Sequence, residues 1–425
     1  MRLQLSAPSL LLLVACASPT VQDTPFPDAS VRGDAPAPDA TEADAAARDA
    51  EPSDGALDAG AGLDAAPGPD ALPGADRPAG MSQPPTPRQS HSATVLADGR
   101  VLVVGGIGAS PTQGESYIYD PATDFWIAGP AVSPPRGAAP ALLLDDGRVL
   151  IAGGARYQGT RTATTHRSSL LFDPRTLELR ATGDLNQARA GATAHVIKAG
   201  PDRGKVMVLG GYVGTNGRVR TVEIYDPATE TFTLVPGVTW PEYWTGGTTA
   251  QLPDGRVLLV GGVATTPGQP ALPAAHLYDP SARTLRTLTS TPALLDATGS
   301  MTTLSDGRVL LLGGREASTD TETTVQYFDP ATERFTFGPP LPAKRWVPAT
   351  VLLPDGRFLV IGGSDRAPTD TIYALDLNAG WSLLPARLSR PLSLAEAVYV
   401  GGPVLVIGGQ TTTGLLLGTA ELFQP

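Results

Sequence analysis

The chain is poor in cysteine, histidine and charge, and each shortage narrows what it can be. Cys16 is the only cysteine in 425 residues, so no intramolecular disulfide can form, and the count alone is silent on compartment. The four histidines, His91, His166, His195 and His276, do not cluster at ligand spacing, so no metal and no cofactor are expected. Charged residues are 17% of the chain, whereas 48 glycines and 42 prolines form about a fifth of it. That balance disfavours long helices and suits short strands joined by tight turns.

The net charge of -11 is concentrated in one segment. Residues 17–77 hold 13 acidic side chains against Arg32, Arg48 and Arg77, and the rest of the chain is close to neutral. A general polyanion-binding field is absent, which argues against a nucleic-acid partner. Residues 16–74 are Ala, Asp, Pro and Gly in irregular order. They carry too little apolar surface to offset chain entropy and their like charges repel, so a disordered tether is expected there. Its carboxylates lack the fixed spacing of a calcium loop.

Ahead of the tether, Arg2 precedes an apolar run ending Leu10-Leu11-Leu12-Leu13-Val14-Ala15, an export signal in pattern and too short to span a bilayer. Leu13-Val14-Ala15-Cys16 resembles the lipobox of bacterial lipoproteins, in which the cysteine becomes the acylated first residue. The competing reading is a plain small-residue cleavage site. The resemblance implies a signal peptide over residues 1–15 and lipidation at Cys16. Ala17, in place of the Asp that often marks inner-membrane retention, implies an outer-membrane lipoprotein, periplasmic or surface-exposed, with secretion as the alternative. Membrane contact is then expected through the lipid alone.

From about residue 88 one unit recurs. Glycine pairs end apolar runs at Gly105-Gly106, Gly153-Gly154, Gly210-Gly211, Gly261-Gly262, Gly313-Gly314, Gly362-Gly363 and Gly408-Gly409, spaced 48, 57, 51, 52, 49 and 46 residues apart. Before five of them stands a turn signal, Asp98-Gly99, Asp146-Gly147, Asp254-Gly255, Asp306-Gly307 or Asp355-Gly356. Asp-Gly between apolar runs predicts a two-residue hairpin with positive φ at both turn positions. The continuous apolar run after it predicts a strand buried on both faces. A third strand ends in an aromatic and a turn, as at Tyr119-Asp120-Pro121 and Phe328-Asp329-Pro330, and a fourth starts near Trp126, Phe232, Leu285, Phe335 or Trp381.

Four antiparallel strands repeated seven times predict blades around an axis, an all-β seven-bladed propeller over residues 75–425. These residues resemble the kelch repeat family, whose period is about 50 residues. The last unit stops at Phe423-Gln424-Pro425, where its third strand should finish. Residues 75–81 align with the fourth strand of other units, so they are expected to supply the missing strand and cover an exposed edge.

Strand alternation puts the Asp-Gly and aromatic-Asp-Pro turns on one face and the long varied loops on the other, where function is expected. Ten residues before each Asp-Gly aspartate, at the entry to the innermost strand, stand Arg88, Arg136, Trp244, Asp296 and Arg345, and the two units lacking that turn place Arg189 and Arg390 equivalently. Kelch propellers that bind acidic peptides use arginines placed like this, and guanidinium forks suit carboxylates. The alternative is a structural set bridging carbonyls of neighbouring blades. Trp240, Tyr243, Trp244 and Trp346 lie on the same connections, either as an aromatic rim or as core.

The kelch resemblance also brings enzymes into view. Galactose oxidases carry copper with a Tyr-Cys crosslink, which Cys16, ahead of the tether, cannot supply. Sialic-acid mutarotases share the propeller, and Asp296 or Glu242 would be the carboxylates for acid–base work. The expectation is a monomeric, non-catalytic binding or adhesion scaffold of the cell envelope, recognising a protein, peptide or glycan of anionic character through the long-loop face. A sugar-processing enzyme and a structural envelope component are the alternatives.

Overall fold

The computed structural model describes residues 86–425 apart from 109–111, 159–161, 215–216, 241–247, 262–273, 294–299, 313–322, 366 and 412–414. They form a seven-bladed β-propeller. In blade 1, Ser92–Val95, Val101–Val104, Ser116–Asp120 and Phe125–Ala128 pair antiparallel in sequence order. The same four-strand order recurs through blade 6, and blade 7 has three strands among the described residues, Glu396–Tyr399, Val404–Ile407 and Ala420–Phe423.

Every second strand is buried along its whole length, from Val101–Val104 in blade 1 to Val404–Ile407 in blade 7. Because side chains alternate across a strand, each of these runs feeds two cores. Leu102 and Val104 pack with Val149, Ile151 and Phe172 of blade 2. Val101 and Val103 pack with Leu405 and Ile407 of blade 7, which joins the first blade to the last.

The Asp-Gly turns differ from the predicted hairpin. Gly99 donates its N–H to Leu96 O at 3.0 Å and Leu96 donates to Arg100 O at 2.7 Å, so the loop has three residues. Only the glycine has positive φ, 85° at Gly99 and 86° at Gly147. The aspartate keeps negative φ because its carboxylate accepts the N–H of the residue two ahead, at 3.1 Å from Arg100. This is the side-chain turn that Asp favours. Beside the Asp-Pro turns, the aromatic pairs Tyr119–Trp126, Tyr225–Phe232 and Phe328–Phe335 sit with ring centroids 5.0, 4.8 and 5.0 Å apart.

The glycine pairs join blades. A Cβ on Gly105 would lie 2.0 Å from Arg136 O, and the N–H of Gly106 donates to that same carbonyl at 3.0 Å. Gly154 donates likewise to Arg189 O, Gly409 to Arg88 O and Gly363 to Leu392 O. Two residues after each of these acceptors the chain turns left-handed, at Ser90, Ala138, Gly191 and Leu394, and it does so again at Val347, two residues after Arg345. There Ala138 N–H donates to Ser90 O, Gly191 N–H to Ala138 O and Leu394 N–H to Val347 O.

Candidate functional site

The structure brings four of the candidate arginines to equivalent places and turns them inward. Arg88, Arg136, Arg189 and Arg345 are 1, 1, 0 and 6% exposed. Arg88 and Arg136 donate to the first glycine carbonyl of their own blade, Gly105 at 2.9 Å and Gly153 at 2.8 Å, and Arg189 donates to Gly210 O at 3.2 Å. The third strand supplies the next partner. Arg88 lies 4.7 Å over the Tyr117 ring, Arg345 lies 5.3 Å over Tyr373, and Arg189 pairs with buried Glu223 at 2.6 Å. Tyr117, Glu223 and Tyr373 all stand three residues before the aspartate that ends their strand.

Arg136 uses Ser168 instead, donating to its carbonyl at 2.8 Å and its hydroxyl at 3.0 Å. Burial lowers its guanidinium to about 10, partly opposed by Asp184. Arg136 and Arg345, expected among the arginines that would hold a carboxylate ligand, therefore have their charged ends inside the blades, bonded to protein carbonyls and hydroxyls. Backbone carbonyls, rather than guanidinium forks, make the link to the neighbouring blade.

Arg390 is also placed differently. It is exposed on the long strand Gly380–Leu392, and Leu392 two residues later occupies the ring position, shown by its carbonyl accepting the N–H of Gly363. Without the Asp-Gly landmark in blade 7 the alignment slipped by two. Trp346 is half-buried and pairs through its backbone with Ser364. Trp240 is buried, edge-on to Tyr278 with centroids 6.3 Å apart. Trp244, Asp296, Glu242, Tyr243, Cys16 and residues 75–81 lie outside the described residues.

On the long-loop face, blades 1 to 3 interlock. After its glycine pair blade 2 forms a hairpin of Ala155–Gln158 and Thr162–Thr165, and blade 3 a smaller one of Tyr212–Val213 and Gly217–Arg218. Thr112 of blade 1 accepts the N–H of Tyr157 at 2.7 Å, the Tyr157 and Tyr212 hydroxyls bond to each other, and Gly214 donates to Thr165 Oγ1 at 3.3 Å. Buried Ala138, Ala155, Ala190 and Tyr212 form a small core beneath. Arg156 and Val213 are exposed above it. Sequence reasoning located the face but missed this platform: Asn216-Gly217 is a hairpin signal that went unread, and no local pattern ties one hairpin to the other.

The short-turn face carries arginines whose role sequence reasoning also missed. The signal was present, since Arg follows each of the five Asp-Gly pairs. Arg100, Arg148 and Arg256 donate to the carbonyls of Pro174, Pro227 and Pro330 in the next blade's turn. Arg148 and Arg256 also pair with Glu230 and Glu333 there, at 2.8 and 2.9 Å.

Hydrogen bonds from Arg180 and Arg148, outweighing burial, hold Glu230 down at about 2. His166 bonds to Pro135 O, His195 to Thr249 Oγ1 and His276 to Thr287 Oγ1, while His91 is buried. Among the described residues no three His, Cys, Asp or Glu side chains come together as a metal-binding group.

Fold and repeat define the class: a seven-bladed propeller carrying a Kelch motif, in keeping with the galactose oxidase and kelch-like propellers. The Kelch motif matches residues 188–239, which span blade 3. The structure titled "Structure of YjhT" is similar with a TM-score of 0.54 and 16% identity, over 71% of this chain and 99% of that one. A fungal alcohol oxidase of the AA5 family, in complex with copper, is similar with a TM-score of 0.62 and 16% identity, over 82% of this chain and 76% of that one. At such identities the likeness is one of fold. No curated protein matches the sequence.

Proposed function

We propose that this protein is a non-catalytic binding or adhesion scaffold of the cell envelope, held by a lipid on Cys16, that recognises a protein, peptide or glycan through its long-loop face. The observation that carries this reading is the platform of blades 1 to 3. Three loops that need not touch are locked by Thr112, Tyr157 and Tyr212 over their own small core. Such ordering presents a preformed surface, and preorganisation lowers the entropy lost when a partner docks.

Exposed Arg156 gives the platform a cation for carboxylate, and exposed Val213 gives it an apolar contact. The buried arginines support the surface from below by fixing the blades. Anionic groups are the expected targets, whether on a peptide or on a glycan.

Immobilised acidic peptides and uronic-acid or sialylated glycans provide the test. Wild type should bind one class, and Arg156→Glu and Val213→Asp should each weaken it about tenfold or more at an unchanged melting temperature. Binding indifferent to both substitutions would sink the proposal. Catalytic turnover of a sialylated sugar by wild type would favour the enzyme alternative.

A further inference from the structure

The blades resemble one another closely, since each buries its second strand against its neighbours with the same apolar pattern. Misdocking between similar units is a characteristic failure of repeat folds. The short-turn face carries charges that tell the seams apart. Between blades 2 and 3, Arg148 and Arg180 of the earlier blade meet Glu230 of the later one at 2.8 and 2.5 Å. Between blades 4 and 5 the pattern returns, with Arg256 at 2.9 Å and Arg286 both on Glu333.

Between blades 3 and 4 the signs are exchanged. Arg283 stands four residues after Asp279, as Glu230 stands after Asp226 and Glu333 after Asp329, and all three have left-handed backbone, with φ of 50°, 56° and 54°. Blade 4 therefore offers a cation where blades 3 and 5 offer a carboxylate. Its partner is Asp202 of blade 3, 2.5 Å away, with a side chain only 5% exposed. Thr233, cross-strand from Ile224, stands where Arg180 pairs with Leu171 and Arg286 with Leu277, so the second arginine of the other two seams is also replaced.

Blade 3 keeps a cation before its second strand. Lys205 precedes Val206 as Arg148 precedes Val149, but it is held within its own blade, by Asp202 at 3.1 Å and Asp226 at 3.0 Å. Burial acts to raise the Asp202 carboxyl, but the bonds from Arg283 and Lys205 bring it below the ordinary range. Gly200 in the same loop sits close on blade 4, where a Cβ would lie 2.9 Å or less from three atoms of Ser281. Shape and charge both fit this loop to blade 4.

We infer that the reversed seam enforces the order of the blades, by opposing the two misdockings that skip blade 3 or blade 4. With blade 2 docked on blade 4, Arg148 and Arg180 would face Arg283. With blade 3 docked on blade 5, Asp202 would lose Arg283 and face Glu333, and Lys205 is already shared between two carboxylates. Like charges brought together at a partly buried contact oppose docking, whereas the native order gives each of these groups an opposite partner. With the signs of Asp202 and Arg283 exchanged, both skipped contacts would become attractive. The device acts on single skips, since blade 2 on blade 5 would match in charge but leave two blades out.

Exchange of the pair, Asp202→Arg with Arg283→Glu, tests this on the full chain. The native contact keeps opposite charges, so the urea midpoint of the folded protein should change little. Refolding by dilution from urea should nevertheless leave about twice the wild-type fraction, or more, outside the native monomer peak in size exclusion. Limited proteolysis of that fraction should cut in blades 3 and 4, the ones that a skip leaves out. The neutral pair, Asp202→Asn with Arg283→Gln, should raise the fraction to a smaller extent, and it decides the matter should the exchanged chain fail to fold. Refolding indistinguishable from wild type, or cleavage confined to other blades, would overturn the inference.

Discussion

Arg189 and Glu223 show how a charge is kept inside this fold. Glu223 accepts the backbone N–H of Asn186 and Gln187 and the guanidinium of Arg189, so its carboxylate is satisfied although it is buried. Removing one partner of such a pair leaves the other uncompensated, at a cost of about 3–5 kcal/mol. Arg189→Met should therefore lower the melting temperature markedly. Arg136→Ala should lower it as well, at about 1–3 kcal/mol for each carbonyl left buried without a donor, those of Gly153 and Ser168 first. Differential scanning calorimetry separates these outcomes from the ligand reading of the ring, in which affinity falls and melting does not.

Three other buried groups set the pH dependence. Burial first, then Arg88 for His91 and Lys198 for His195, lower these imidazoles to about 3 and about 4. The unfolded chain takes up those protons near 6.5, so below that value it binds more protons than the folded state. Stability then falls as pH drops from about 6.5 toward 3. Glu396 acts in the opposite sense. Burial raises its carboxyl well above its ordinary 4.5, so the folded state holds a proton that the unfolded chain releases, and stability falls as pH rises past that value. Glu396→Gln should be more stable than wild type at pH 8 and have little advantage at pH 4, read as urea midpoints.

At the scale of the element, the strands were legible and their exact joining was not. Continuous apolar runs revealed the second strands because burial on both faces leaves no polar positions, and aromatic-Asp-Pro marked where third strands end. The turn type was misjudged at Asp-Gly, since the Asp side chain bonds its own backbone and spares the residue a positive φ.

The last blade bears the remaining open expectation. Ala420–Phe423 has Leu422 exposed, and Arg88 donates its N–H to Leu417 O at 3.1 Å, so the chain enters blade 1 alongside the approach to that strand. Residues 75–81 are proposed to continue along it. A truncation beginning at Leu72 should melt with the full chain and one beginning at Arg88 several degrees lower; equal melting temperatures would remove the idea.

At the scale of the whole molecule, the propeller and its attachment are separate matters with separate tests. Fractionation should find wild type with membranes and Cys16→Ser in the soluble fraction. A single acyl chain holds a protein only marginally, whereas the several chains of a mature lipoprotein hold it firmly. Equal solubility of the two forms would favour plain secretion.

By itself the sequence determined the number of blades, the order of their strands and the division into two faces. Those follow from continuous apolar runs and turn signals that recur every 46 to 57 residues, and from the glycine pair that ends each run. Tertiary structure alone decided where the arginines point. A guanidinium on a long side chain reaches a mouth or a blade interior from the same backbone position, and only the carbonyls of Gly105, Gly153 and Gly210, brought close by packing, settle the direction. The platform likewise joins residues 45 to 55 positions apart, a juxtaposition that no local pattern encodes.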